Sequence, residues 1–385
     1  MCLDAVKKVL VIGFENYDER MYPHTFEVLK TLEEQCELTY FGGDDRGFGK
    51  FMLGMMQNPL ATRPIVYCKQ YWGEMRRARQ VERGLSRLMR KTYDTVLTID
   101  HTALNLAARY LQRDSRLIFW SLDYFSQDHL WMQSRWIRQV IEQNQKVVQK
   151  CSAIVIQDAN RAAVLDSILM SHDIPKFLLP VSINSNAKST LAAAQRQTRI
   201  LASPIKLMQL GTIHPVRSSD KLLNAYQKMD GSIDLILHGH ISIEIAKAMD
   251  KSGRKPMVVG VCNTLKEMRE NIDKADIGII AVSEKSLNSY FFSRASGQLV
   301  EFLRLGIPSI VVGSLELGRF VQENGCGVSI SDFPQLEWAV QTIKEGYNVY
   351  ALHSLELFCR AFNFESYREN LIRLVLEHNI SNANA

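Results

Sequence analysis

Two stretches of this chain combine small residues, a charge and a helix start in a way that suits a phosphate. The first is SGQLVEFLRLGIPSIVVG, residues 296–313. Ser296 and Gly297 strip the helix start of bulk. A ligand can therefore approach the unpaired N–H groups of the first turn, around Gln298 and Leu299, where the helix dipole favours an anion. Leu299, Phe302 and Leu303 form the buried face, and Glu301 shares a face with Gln298 and Arg304. A carboxylate one turn into such a helix can accept hydrogen bonds from paired hydroxyls, as on a ribose, or it can pair with Arg304 at i,i+3. The second stretch is MQLGTIHPVRSSDKLLNAY, residues 208–226. Here a strand ends at Gly211, which permits close backbone approach. A helix then starts with Ser218, Ser219 or Asp220 as cap. Arg217, just before it, can hold a phosphate bidentately, or it is a surface arginine on a loop.

A third stretch, LILHGHISIEIA (235–246), alternates His238 and His240 at strand spacing. The spacing could serve a metal, but no carboxylate or cysteine sits at ligand spacing beside them, so the expectation is no metal. Gly239 and His240 are expected to line a ligand cleft at a strand end.

The elements that would position these residues alternate between strand and helix. Strands are expected at 8–14, 36–42, 95–100, 116–123 and 153–158, with helices near 24–35, 69–91, 101–113, 131–150 and 159–170. After a polar, alanine-rich stretch (185–204) the pattern restarts. Strands are expected at 205–213, 233–239, 256–261, 277–282 and 308–313, and helices near 218–229, 242–251, 263–274, 297–305, 315–324 and 334–345. A last amphipathic helix is expected at 364–379. Such alternation means parallel sheets covered on both faces. The expected class is α/β, with two Rossmann-like domains facing a central cleft. The expected division is 1–185, a linker 186–204, 205–360, and a C-terminal helix and tail 361–385.

Composition narrows the function classes. The chain has 385 residues, too many for one ordinary core, with 46% apolar and 23% charged residues. A net charge of +5 is too mild for a nucleic-acid binder. Seven scattered cysteines without a CxxC read as reduced thiols. The N-terminus reads as a strand and not as a signal peptide, and no apolar run is long enough to span a bilayer. These features predict a cytoplasmic protein. GFENYDE after the first strand carries one glycine where a dinucleotide fingerprint needs three, and no P-loop occurs.

The combination resembles glycosyltransferases of the GT-B fold, nucleotide-sugar enzymes of glycan and lipid-linked sugar synthesis. LGTIHPVRSSDKLLNAY resembles the family's strand, glycine loop and basic phosphate ligand. LILHGH, ADIGIIAV and FVQENGCGVSI resemble the neighbouring strands and the glycine-rich tail, and SGQLVEFLRLGIPSIVVG resembles the donor helix. The resemblance implies a donor site of Gly211, Thr212, Arg217, His240, Ser296, Gly297, Gln298, Leu299 and Glu301. In it, Arg217 would contact the diphosphate, the backbone of 296–299 would hold phosphate oxygens, and Glu301 would bind the ribose. Ser293 stands where many retaining members carry a further glutamate, Thr212 where many have arginine, and Gln298 where lysine is frequent.

The implied activity is sugar transfer to a glycan or lipid-linked acceptor with no cofactor, the nucleotide-diphosphate sugar being itself a substrate. Retention lets the leaving phosphate take the acceptor proton. Inversion needs a general base, for which Asp123, His24 and His101 are candidates at strand or loop ends. Their plainer readings are a helix cap, a packing residue and a polar residue at a helix start. A scaffold that binds nucleotide or glycan without turnover, or an epimerase of the same fold, are the alternatives. KQYWGEMRRARQVERGLSRLMRK (69–91) is either a solvated helix face or a basic amphipathic surface for peripheral contact with an anionic membrane.

Overall fold

A computed structural model describes residues 6–13, 17, 19, 22–42, 83–123, 135–184, 198, 204–282 and 287–377. The chain divides into two compact units, Met1–Leu179 with Tyr367–Ala385, and Pro180–Ser366.

The first unit holds β1 (Lys8–Ile12), β2 (Glu37–Phe41), β3 (Thr95–Ile99), β4 (Arg116–Trp120), β5 (Cys151–Ile156) and β6 (Lys176–Leu178). They form one parallel sheet in the order β2-β1-β3-β4-β5-β6. Its helices are α1 (Pro23–Glu33), α2 (Asp100–Ala107), α3 (Arg135–Val147) and α4 (Ala159–Leu169). The second unit holds β7 (Ile205–Ile213), β8 (Ile233–Ile241), β9 (Met257–Val259), β10 (Ile277–Ala281), β11 (Ser309–Val312) and β12 (Gly327–Ile330). Its parallel order is β12-β11-β10-β7-β8-β9, so the winding reverses between β7 and β10. In an open α/β sheet a ligand crevice opens beside the carboxyl ends of the strands at such a reversal.

Side-chain alternation explains why both faces of the second sheet are covered. Leu207, Leu235, Leu237, Ile279 and Ile310 belong to one buried cluster. Met208, Ile236, Ile280 and Val311, each next to one of these in sequence, belong to the other. The helices of this unit are α5 (Ser219–Lys228), α6 (Ile243–Asp250), α7 (Leu265–Ile272), α8 (Leu287–Tyr290), α9 (Gly297–Arg304), α10 (Leu315–Glu323), α11 (Leu336–Glu345) and α12 (Tyr347–Ala361). The last helix, α13 (Glu365–Leu376), leads back to the first unit.

Three differences from the sequence expectations have physical causes. The division falls at Leu179/Pro180 and not near 185. The Val181 N–H donates to the Arg294 carbonyl (2.8 Å) and the Ile183 N–H to that of Phe362 (3.1 Å), so this segment is held by the second unit. The tail from Tyr367 belongs to the first unit. Thr95 Oγ1 donates to the Val375 carbonyl at 2.8 Å, and Leu371, Leu374 and Val375 are buried. Helix α12 was not expected at all. It has no single apolar stripe to read, because Tyr347 and Ala351 pack into one cluster while Leu357, Phe358 and Ala361 pack into the other. Apart from residues 198 and 204, the expected linker 186–204 lies outside the described residues, as does 69–82 of the expected 69–91 helix.

Gly278 on β10 sets how closely α9 approaches the sheet, since a Cβ there would overlap the ring of Phe302. Gly278→Ala is expected to destabilise the protein by about 1–3 kcal/mol through overpacking. A lowered denaturant midpoint of the second unit's unfolding is the readout, and an unchanged midpoint would show that the ring moves aside freely.

Candidate functional site

The carboxyl ends of β7 and β8 are drawn together by two glycines. Gly211 stands opposite Gly239 in the register, with φ of +95° and +133°. A Cβ on Gly239 would collide with the Gly211 carbonyl. The next pair along, Thr212 and His240, is exposed. The chain then turns through Pro215–Arg217 as a 3₁₀ turn. The His214 N–H donates to Ser219 Oγ (3.0 Å), and the Val216 N–H donates to His214 Nδ1 (3.1 Å). Ser218 occupies the cap position of α5 with φ +52° but makes no side-chain cap bond. Buried Gln209 donates from Nε2 to the Arg217 carbonyl at 3.1 Å, which fixes the turn from below. The Arg217 guanidinium lies over the Phe292 ring, 5.5 Å from its centroid.

The start of α9 meets this loop. Ser296 is buried, and its Oγ accepts from the Leu299 N–H at 3.2 Å as the cap. Gly297 is exposed, and a Cβ there would meet nothing within 4 Å beyond its chain neighbours and its own helix backbone. Gln298 donates from Nε2 to the Leu210 carbonyl, and that nitrogen lies 2.9 Å from where a Gly211 Cβ would be. The structure therefore joins Gly211, Thr212, His240, Ser296, Gly297 and Gln298 at one edge of one sheet. Arg217 reaches the segment that leads into α9. Leu299 contributes its backbone there while its side chain is in the core.

His238, two residues before His240 on β8, is buried, with Nε2 3.9 Å from Cys262 Sγ. Burial pushes its imidazole below the ordinary histidine range. Among the described residues no group of three or more His, Cys, Asp and Glu is placed to hold a metal.

The acid–base candidates of the first unit do not converge. His24 on α1 is buried with its ring edge-on to Trp120, centroids 5.3 Å apart. His101 on α2 is buried edge-on to Phe119 at 5.4 Å. Adjacent strand residues point to opposite faces, so the two histidines lie on opposite sides of the sheet. Burial pulls the His101 imidazole down to about 3, and Asn144 Nδ2 contacts its Nδ1 (3.3 Å) and its carbonyl (2.9 Å). Both histidines occupy packing positions. Asp123 alone is exposed. Its loop is braced by three residues that no local pattern disclosed. Asp100, at φ +66°, accepts from the Leu122 and Asp123 N–H groups (3.0 and 3.2 Å). Gln157 and the fully buried Arg161 donate to the Leu122 carbonyl at 3.1 and 2.8 Å.

Glu301 is 4% exposed and sits inside an ion triad. Its Oε1 accepts from Nε and Nη2 of Arg269 on α7 (3.3 and 3.2 Å), and its Oε2 accepts from Nε of Arg304 (3.1 Å). The i,i+3 pair read from the sequence forms, joined by a second arginine 32 residues away. Arg304 is itself buried, and desolvation lowers its pKa against the opposing pull of Glu301. Breaking a buried pair leaves an uncompensated charge. Glu301→Ala is therefore expected to lower stability by about 3–5 kcal/mol, measured by denaturant unfolding. A loss below about 1 kcal/mol, the size of an exposed pair, would contradict this account of the triad.

No family model and no curated protein matches the sequence. Solved structures do match the fold. Anabaena HepE in complex with UDP-glucose superposes with a TM-score of 0.67 at 12% identity, over 95% of this chain and 98% of that one. Sucrose-phosphate synthase from Thermosynechococcus elongatus gives 0.66 at 12% identity, over 96% and 98%. An E. coli trehalose-6-phosphate structure bound with UDP-2-fluoro glucose gives 0.62 at 11%, over 96% and 99%. At such identities the likeness is one of fold: the chain has the two Rossmann-like units of the GT-B architecture.

Proposed function

We propose that this chain is a glycosyltransferase. It moves a sugar from a nucleotide-diphosphate-sugar donor to a glycan or lipid-linked acceptor, with retention of anomeric configuration. One observation carries the reading: the glycine-lined ends of β7 and β8, the Arg217 turn and the open first turn of α9 meet at the edge where the second sheet reverses its winding. That arrangement suits a diphosphate, with small residues for close approach, N–H groups at a helix start and a guanidinium. The HepE structures holding UDP and UDP-glucose support a UDP-sugar as the first donor to test.

The chemistry follows from the leaving group. As the bond from the sugar to the diphosphate breaks, negative charge grows on the phosphate oxygens. Arg217 and the N–H groups of Gly297 and Gln298 stabilise that charge. The departing phosphate then accepts the proton of the acceptor hydroxyl, so no side-chain nucleophile is needed. Thr212 and His240 border the sugar-phosphate side. A ribose hydroxyl donates to Glu301 through Oε2, which has one arginine bond where Oε1 has two. In the first unit Asp123 is the accessible candidate for orienting an acceptor hydroxyl, and its loop is braced.

Arg217→Ala is expected to weaken UDP binding by about 1.5–3 kcal/mol, the range for a charged hydrogen bond, and uridine binding by much less. Calorimetric titration of both ligands decides it, and equal losses would remove Arg217 from the diphosphate. Turnover is read as UDP release that depends on added acceptor, with the product anomer assigned by NMR. Release-free binding would mark a scaffold, and acceptor-free interconversion of the sugar an epimerase.

The acceptor reading extends to an anionic membrane surface contacted through 69–91. In the described part of that stretch, Leu85 and Met89 are packed inward while Arg83, Arg87 and Arg90 are exposed. No helix among the described residues is long and apolar enough to cross a membrane. Sedimentation with anionic vesicles is expected at low salt and is expected to weaken at high salt, since the Debye length shortens. Equal binding to neutral vesicles, or none to either, would reject an electrostatic contact.

A further inference from the structure

The loop that leads into α9 is held by a carboxylate from another helix. Glu316, in the first turn of α10, accepts at Oε2 from the N–H groups of Phe292 (3.2 Å) and Ser293 (3.0 Å). Its Oε1 accepts from Ser293 Oγ at 2.5 Å. Ser293 is buried and Glu316 half-buried. Successive backbone N–H groups that converge on one point form a concave anion site, and here the chain fills it with its own anion. The same short segment carries Phe292 under the Arg217 guanidinium and runs three residues on into Ser296, the cap of α9. Ser293 stands where the resemblance expects a glutamate. A carboxylate is present at this place, but it comes from Glu316 and is docked through the serine.

We propose that Glu316 is the positioning residue of the donor loop. By occupying the Phe292 and Ser293 amides it fixes both the ring that carries Arg217 and the approach to the open first turn of α9. This rests on the donor-site reading above. Two consequences separate it from a merely structural hydrogen bond. Its loss frees a local segment while the core stays folded, because Glu316 touches loop amides and not the buried clusters. A glutamine can replace it in part, since one amide oxygen can accept from both N–H groups while the amide nitrogen faces Ser293 Oγ.

The test uses the full chain with Glu316→Ala, Glu316→Gln and Ser293→Ala. Amide hydrogen exchange at 292 and 293 and UDP titration are the readouts. Glu316→Ala is expected to speed exchange at those two amides at least ten-fold and to weaken UDP about ten-fold, with the global unfolding midpoint little changed. Glu316→Gln is expected to recover most of both, and Ser293→Ala to fall between. Unchanged exchange in Glu316→Ala overturns the proposal. So does faster exchange with unchanged UDP affinity, or an equal loss in the alanine and glutamine variants together with a fallen unfolding midpoint. If the parent itself does not bind UDP or other nucleoside diphosphates, the donor-site reading fails, whereas the exchange result still reports whether Glu316 holds the loop.

Discussion

The close approach of β7 and β8 at Gly211 and Gly239 is the constraint on which the candidate site depends. Two residues with side chains could not stand there, because φ is positive at both and a Cβ on Gly239 would meet the Gly211 carbonyl. The approach brings Thr212 and His240 level with each other and leaves the Leu210 carbonyl within reach of Gln298. Gly278 plays the matching part beneath α9, where it lets Phe302 press against β10. Small residues thus set the distance between the strand ends and the helix start, and the charged groups are added around that distance.

Charge around the site is arranged in two different ways. At the helix start the backbone is left open at the exposed Gly297, and the Arg217 guanidinium rests on an aromatic face. One turn further in, charge is closed upon itself, with Glu301 buried between Arg269 and Arg304. The glutamate on this well-buried helix thus has a structural role first. The triad ties α9 to α7 across the sheet surface, and any role toward a ribose is exercised from within that tie.

The parts of the site that were legible in sequence are the local ones. Gly211, Arg217, Ser296 and Gly297 each follow from a strand end, a loop or a cap that occupies a few consecutive residues. The alternation of strands and helices likewise disclosed two parallel sheets. What stayed hidden was carried by pairs distant in sequence. Glu316 acts on Ser293 across 23 residues, Arg269 on Glu301 across 32, and Arg161 on Leu122 across 39. No periodicity signals such pairs. His24 and His101 misled for the opposite reason. Their positions near strand ends looked catalytic, but which way each ring points depends on Trp120 and Phe119 facing opposite sides of one strand.

The central claim is that the second unit binds a nucleoside diphosphate at the meeting of the β7 loop and the α9 start. A crystal structure of the chain grown with UDP tests it most directly. The account predicts diphosphate oxygens about 3 Å from the first-turn N–H groups of α9 and from the Arg217 guanidinium, with the Glu316 contacts to Phe292 and Ser293 kept. A nucleotide seated elsewhere, or a diphosphate that touches neither Arg217 nor the α9 amides, would contradict it.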